Sequence, residues 1–424
     1  MYKRKTTKLV AIGPVLLWLL IILLLLTPVY CALSNPAFVQ VSDFGTTFYI
    51  AARLVKEGKV SDLYPVLDSY MLHHSAFTTY SHQLLSSLPA SQIPLFQYPP
   101  LLAYLIEPIS YLSLQDAFFV WQFFSVLALC LSIFLLASLG SLNWIVCLAM
   151  SLLYLPILHT LLTGQIGIIL ILLPLSLGYF LLMRGHSLAA GLAWSFLILK
   201  IQFLPLALLF VITSLFAKNW RCAAGFAFGV IVLIMCNIFC LGKETTHQWL
   251  QLLDTSEALG IDPSYSCNTY LQTSLPRALL QLVPHLLRTK WRIALYFLAT
   301  GIVLHAFYTC AQLVKKTKDY LSVMPYCFVL GIFLMPMISP HLFFYDLSIL
   351  VLAGIVIYGE PRFRADHDLI RDLLIGWFFI DIYLVLFVFI NPQLAQPIIP
   401  VAILAWLYLR ILKARRTWLI NNVE

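Results

Sequence analysis

The sequence predicts an all-α polytopic membrane protein, and three observations carry that prediction. Of the 424 residues, 61% are hydrophobic and 10% charged, with mean hydropathy +0.91. A soluble domain sits nearer half apolar and a quarter charged. Apolar runs of roughly 17 to 25 residues recur along the chain, the length of a spanning helix and not the weak alternation of a barrel. The charges, finally, sort to one side of these runs.

Taken in order, the apolar segments fall near 9–31, 117–139, 143–161, 165–183, 187–199, 202–216, 222–241, 291–313, 322–338, 341–358, 373–391 and 395–412, about twelve transmembrane or re-entrant helices. The first follows Lys3, Arg4, Lys5 and Lys8. A cleaved signal would have a shorter apolar region and a small-residue cleavage site, so this run reads as a retained anchor. Segments 187–199 and 202–216 are short and read as a broken or re-entrant pair separated by Lys200 and Gln202. Segment 98–112 is also short and reads either as a span or as a half-buried helix. If it spans, 187–216 must be one long helix to keep the ends in place.

Basic residues favour cytoplasmic loops. With both termini inside, seventeen of the 26 basic residues but six of the 18 acidic ones fall on the inner side. That asymmetry accounts for the net charge of +8 as membrane insertion, with no nucleic-acid partner. The chain then reads as one integral membrane unit, 1–424, with two large outer loops, 32–97 and 242–290. The longest inner loop is Gly359 to Asp372. The nine cysteines form no CxxC and lie mostly in apolar runs, where they pack. Cys31 and Cys267 could meet outside the membrane.

Polar residues gather at the outer level. Phe44, Phe48, Ala51, Ala52 and Val55 recur at helical spacing, with Thr46, Thr47, Arg53, Lys56 and Glu57 opposite and Gly58 as a stop. Such a helix is expected to lie along the membrane interface. Asp43 at its N-terminus has two readings. It or Ser42 is an N-cap, or Asp43 is a general base kept ionised by the helix dipole. Thr163-Gly164-Gln165 interrupts two apolar runs at the same level. Lys200 lies within the membrane, where an ammonium either snorkels or meets an anion such as phosphate. Ser339-Pro340-His341 forms another outer turn with Asp346 beyond it, and Asp381 reads as a packing partner within its span. His73-His74 point apart on a helix, and Asp43 has no Asp-x-Asp partner. No metal or cofactor is therefore expected. No GxSxG, HExxH or GxxxxGK[ST] occurs, which leaves a cytosolic nucleotide-using enzyme without support.

Asp43-Phe44, Tyr49, Ala51-Ala52, Gly58 and Leu63-Tyr64, followed by Phe96-Gln97-Tyr98-Pro99-Pro100, resemble the first outer loop of the GT-C glycosyltransferases. Within that group the chain is similar to glycosyltransferase family 87, which includes polyprenyl-phosphate-mannose-dependent α-1,2-mannosyltransferases. Gly164-Gln165, the stretch from Arg184-Gly185-His186 through Ala190-Gly191 to Leu199-Lys200, and Ser339-Pro340-His341 extend the resemblance over about 41–350. It implies a GT-C-type bundle and an inverting hexosyltransferase of the bacterial cytoplasmic membrane, with its site outside the cytoplasm. The donor would be a sugar on polyprenyl phosphate, most often mannose, and the acceptor a lipid or glycan of the cell envelope. Asp43 would be the base. Lys200, with Arg277, would neutralise the donor phosphate, and His341 would bind that phosphate or polarise the acceptor. Tyr49, Tyr98, Gln165, Asn268 and Gln272 would contact substrate, Tyr98 by stacking on sugar. The chain departs from related sequences at His341, which follows Pro340 without the Trp usual there, and the 242–290 loop matches loosely.

A transporter or flippase of lipid-linked glycans is the rival, since it too uses broken helices and buried charge. It predicts an internal repeat and a polar path to both faces. The sequence shows neither. A ligase of lipid-linked glycans and a structural assembly protein are further alternatives.

Overall fold

The computed structural model describes residues 3–64, 74–259, 272–284, 287–317, 319–391 and 396–420. Among these residues it is helical, with a single isolated bridge, Gln272 to Phe343, and no strand. Six apolar helical stretches are long enough to cross a membrane by length and composition, Ser187–Phe216 among them although it is broken at Lys200, or up to seven if the bent pair Trp144–Leu153 and Leu155–Thr163 is one span. Two shorter apolar stretches, Ile168–Met183 and Phe344–Gly359, pack among them. Asn268 and Cys267, and with Cys267 the proposed pairing to Cys31, lie outside the described residues, as does His73.

Contacts fix which end of the bundle each turn occupies. The Lys3–Ser34 helix leads towards Asp43, and Ala32 O accepts from Gln115 Nε2 at 3.3 Å at the start of the Leu114–Leu139 helix. That helix then runs to the opposite end, where Gly140 meets Gly359 backbone to backbone. Trp144–Leu153 climbs back, bends by 76° at Tyr154 before Pro156, and continues as Leu155–Thr163. Proline suits the first turn of the helix that starts there.

The run Ser187–Phe216 decides the central architecture. Straight, thirty residues would reach about 45 Å at helical rise. Instead Asn219 Nδ2 donates to Ser187 Oγ at 2.8 Å, so the chain doubles back. The turn is at Lys200, the one non-helical residue within the run (φ −128°, ψ 78°), and Leu204–Phe216 restarts with Pro205 in its first turn. The broken pair is therefore present, and the single long helix is excluded. Segment 98–112 is not long enough to span: it is the seven-residue helix Pro100–Ile106 and a 3-10 turn, Glu107–Tyr111.

One sequence expectation is corrected. The helix after Asp43 does not lie on a lipid surface. Phe44–Tyr49 winds as a π-helix and Ile50–Lys56 as an α-helix, and Phe44, Phe48, Tyr49, Ile50, Ala51, Ala52 and Leu54 are all buried, with Thr46 among them. Phe44 packs on Phe118 and Trp121, and Phe48 stacks on Trp121 at 5.4 Å. Three large aromatics at 44, 48 and 49 spread wider than one stripe, and protein encloses them. The stop is where it was read: Gly58 takes φ +71°. The 242 boundary is also where it was read: the helix from Trp220 breaks at Gly242 (φ 83°, ψ 158°), and a second helical stretch runs from there to Leu259. Asn237 secures the kink, accepting from Leu101 N at 2.7 Å and donating to Thr246 at 2.8 Å.

The hairpin's rising arm, Ser187–Ser195, lies against the Trp220–Leu259 helix at backbone distance. A Cβ added to Gly191 would sit 1.9 Å from Cys222 O. Gly191→Val is expected to force the helices apart at a cost of roughly 1–3 kcal/mol or more. Thermal unfolding in detergent reads the change, with Gly301→Ala, whose added methyl meets nothing within 4 Å, as the comparison.

Candidate functional site

Asp43 is freed for chemistry by its neighbour. Ser42, extended at ψ 159°, caps the helix: its Oγ accepts from Gly45 N at 3.2 Å. Asp43 makes no capping bond. The side chains of Gln165 and Thr163, which the bend at Tyr154 and the left-handed Gly164 (φ +68°) bring to this end, lie beside its carboxylate, and Thr163 Oγ1 donates to His159 O at 3.0 Å. Gln165 is oriented in turn by Tyr98, whose hydroxyl donates to Gln165 Oε1 at 3.4 Å. Gly164 O accepts from Trp121 Nε1 at 2.8 Å, tying the turn to the wall on which Phe44 rests.

The electrostatics of Asp43 differ from the sequence expectation. Packed protein around the half-buried carboxyl disfavours its charge and raises its pKa from the ordinary 3.8. Hydrogen bonds from Gln165 and Thr163, and then the charge of Lys200, oppose that rise, while Asp346 adds to it. Burial outweighs the helix end. The Tyr98 hydroxyl is pushed well up by burial and then by Asp346 and Asp43, so it stays a donor.

Lys200, at the apex of the hairpin, is buried and forms an ion pair with Asp346. Asp346 also accepts from Gln202 Nε2 at 3.0 Å and from Phe343 N at 3.1 Å. Lys200, Gln202, Tyr98, Trp249, His341 and Tyr345 all line a cavity of about 440 Å³. One side of that cavity is the kinked helix, held by Trp249 Nε1 donating to Gln97 O at 3.2 Å.

His341 Nδ1 faces Arg277 Nη2 at 3.3 Å. Burial and then the Arg277 charge lower the His341 pKa to about 3, so the imidazole is neutral at ordinary pH. Gln272 is buried beside them, and Thr273 N donates to Leu342 O at 2.7 Å, which joins the 272–274 segment to the Pro340–Phe343 turn. Ser339 Oγ, His341 Nε2 and Gln272 Oε1 have no partner among the described residues.

The structure therefore gathers Asp43, Tyr98, Gln165, Lys200, His341, Arg277 and Gln272 at one end. Tyr49 is not among them, since its hydroxyl is spent on Leu112 O at 2.9 Å. Trp249 was not singled out from sequence, and Asp346 was noted beyond the Ser339-Pro340-His341 turn without a role. For Asp346 the signal was present, an acidic residue inside an apolar run like Lys200 itself, but nothing in sequence paired positions 146 apart. No three His, Cys, Asp or Glu side chains converge on a metal-binding geometry among the described residues.

A substitution at Gly164 tests this construction. An added Cβ would meet Phe44 Cβ at 2.6 Å and sit at a positive φ. Gly164→Ala should cost more than about 1 kcal/mol of stability and reduce function through the misplaced Asp43–Gln165 contact. Thermal unfolding and activity measured on the same preparation check both effects.

No curated protein and no solved structure matches the chain. The family model of glycosyltransferase family 87 matches residues 96–340, a span that holds Tyr98, Gln165, Lys200 and Arg277, with Asp43 before it and His341 directly after. The match takes in more than half of the chain, which belongs to glycosyltransferase family 87.

Proposed function

We propose that this glycosyltransferase moves a sugar from a polyprenyl-phosphate donor to a hydroxyl of a lipid or glycan acceptor, with inversion, at the extracytoplasmic face of a bacterial cytoplasmic membrane. The observation that carries the reading is the convergence of Asp43 and buried Lys200 at one end of the bundle, beside a cavity walled by Tyr98, Trp249 and Tyr345. A lipid-linked donor cannot leave the bilayer, so its phosphate must be met near the membrane surface by a cation. Lys200 supplies the cation, with Arg277 beside His341 as the second.

In the reaction the acceptor oxygen attacks the anomeric carbon. Asp43 takes the hydroxyl proton as the new C–O bond forms. The bond from the anomeric carbon to the phosphate oxygen breaks, its electron pair leaves with the polyprenyl phosphate, and Lys200 stabilises that charge. A raised pKa makes Asp43 a stronger base than an ordinary carboxylate. Aromatic side chains at the cavity offer sugar-stacking faces. The scheme calls for no metal or cofactor.

Orientation follows the charges. Arg184, Lys218, Arg221, Arg362 and Arg371 lie towards the end opposite Asp43, which reads as cytoplasmic and holds both termini. A cysteine placed at exposed Ser61, near Asp43, is expected to react with a membrane-impermeant reagent on intact cells above the background of the native cysteines. Protection until permeabilisation would reverse the orientation.

The activity test uses purified protein in lipid with labelled polyprenyl-phosphate mannose, glucose and arabinose in parallel and a lipid-extract acceptor pool. Mannose is tested first as the sugar most common in the resemblance. Asp43→Asn should lose at least about 100-fold in kcat; equal activity in both proteins removes Asp43 as the base. The acid limb of kcat/KM should lie above the ordinary carboxylate value of 3.8, because the reactive form is the carboxylate and its pKa is raised. Activity then falls as pH drops through that limb.

A further inference from the structure

Asp346 lies behind the cavity and not on it. Lys200, Gln202, Phe343 and Tyr345 line the space, whereas Asp346 is absent from the lining and fully buried. It joins two segments that do line it: Lys200 and Gln202 from the hairpin apex, and the Phe343 backbone from the turn after His341. An ammonium has three N–H donors. Asp346 takes one, and Lys200 still faces the cavity with the remainder.

The lysine stem is long and flexible, and holding it in one rotamer costs side-chain entropy. There are also two carboxylates within its field. Asp43 feels the charges of both Lys200 and Asp346. A Lys200 that turned to Asp43 would withdraw the cation from a phosphate and neutralise the base in a single movement.

We propose that Asp346 is a positioning residue for the transfer reaction: it fixes the Lys200 ammonium at the cavity wall, where a donor phosphate shares it, and keeps it off Asp43. The inference rests on the proposed donor reading, in which Lys200 meets the phosphate. A packing role alone would predict a loss of stability without coupling to Lys200. A positioning role predicts that both donor binding and turnover depend on the pair.

The experiment is a double-mutant cycle on the full chain in phospholipid nanodiscs. Polyprenyl monophosphate binding and steady-state transfer are measured for wild type, Lys200→Met, Asp346→Asn and the double variant, with Asp346→Glu as the charge-conserving rescue. Asp346→Asn is expected to raise the donor KM about 10-fold and also lower kcat, as loss of a buried charge partner does. Asp346→Glu should recover most of both. In the Lys200→Met background Asp346→Asn should change neither by more than about 2-fold, since coupled residues lose their separate effects. An effect as large in that background as in wild type overturns the proposal. If Asp346→Asn does not fold, the same cycle is run with Asp346→Ser, which also removes the charge, and the same comparison decides. Wild type that fails to bind polyprenyl monophosphate, or Lys200→Met that binds it as well as wild type, refutes the donor reading before any Asp346 variant is considered, and the proposal falls with it.

Discussion

A buried ammonium must have a counter-charge, and much of this structure follows from giving Lys200 one. Breaking a buried pair by removing one partner costs about 3–5 kcal/mol. Asp346 meets that demand, but it is 146 positions further along the chain. The pair forms because Ser187–Phe216 doubles back at Lys200 and because the helix Tyr320–Ile338 runs antiparallel to the returning arm. Gly331 fits against Leu206, Leu209 and Phe210 near the middle of that contact, and Ser214 meets Tyr320 at its far end. The Ser339–Phe343 turn is thereby delivered to the hairpin apex. His341, Arg277 and Gln272 reach the cavity region by the same delivery, through the short pairing of 272–273 with 342–343.

How much of this was legible in sequence depends on the range of the interaction. Apolar length marked the helices, and the polar break at Lys200 marked the hairpin, because both are local. Gly58 and Gly164 read as punctuation and take positive φ. The amphipathic helix after Asp43 was legible as a helix but not in its placement. Its spacing fits an interface as well as a buried helix, and the choice is made by Phe118, Trp121 and Gly164, which come from later elements. The break at Gly242 was legible as the end of an apolar run, but the helix beyond it was not, because its polar sequence resembles a loop.

The same distinction separates Ser42 from Asp43. Sequence left open which of them caps the helix, as either residue type is suited to it. Once Ser42 takes the cap, Asp43 falls within the first turn, and its side chain is directed by Gln165 and Thr163. The chain Tyr98 to Gln165 to Asp43 then links three segments that are remote in sequence. Tyr98 keeps its proton and donates it to Gln165 Oε1, which leaves the amide nitrogen, a donor that cannot take a proton, as the group available to the carboxylate beside it.

On the proposed reading, the charges at this end have a further consequence. Asp43 and Asp346 are balanced by Lys200 and Arg277, and His341 contributes no charge at ordinary pH. A donor phosphodiester brings one more negative charge into a nearly balanced, poorly hydrated site. Repulsion from it opposes the ionised form of Asp43 in the ground state. Glycosyl transfer, however, proceeds through an oxocarbenium-like transition state, in which positive charge develops on the sugar. That charge arises between the attacking and leaving groups, with Asp43 on one side and the phosphate on the other. The excess negative charge is unfavourable before reaction and favourable during it, which is the differential interaction that accelerates a chemical step. Fixing Lys200 on Asp346 preserves that balance: the cation offsets part of the phosphate charge without cancelling the carboxylate that faces the acceptor.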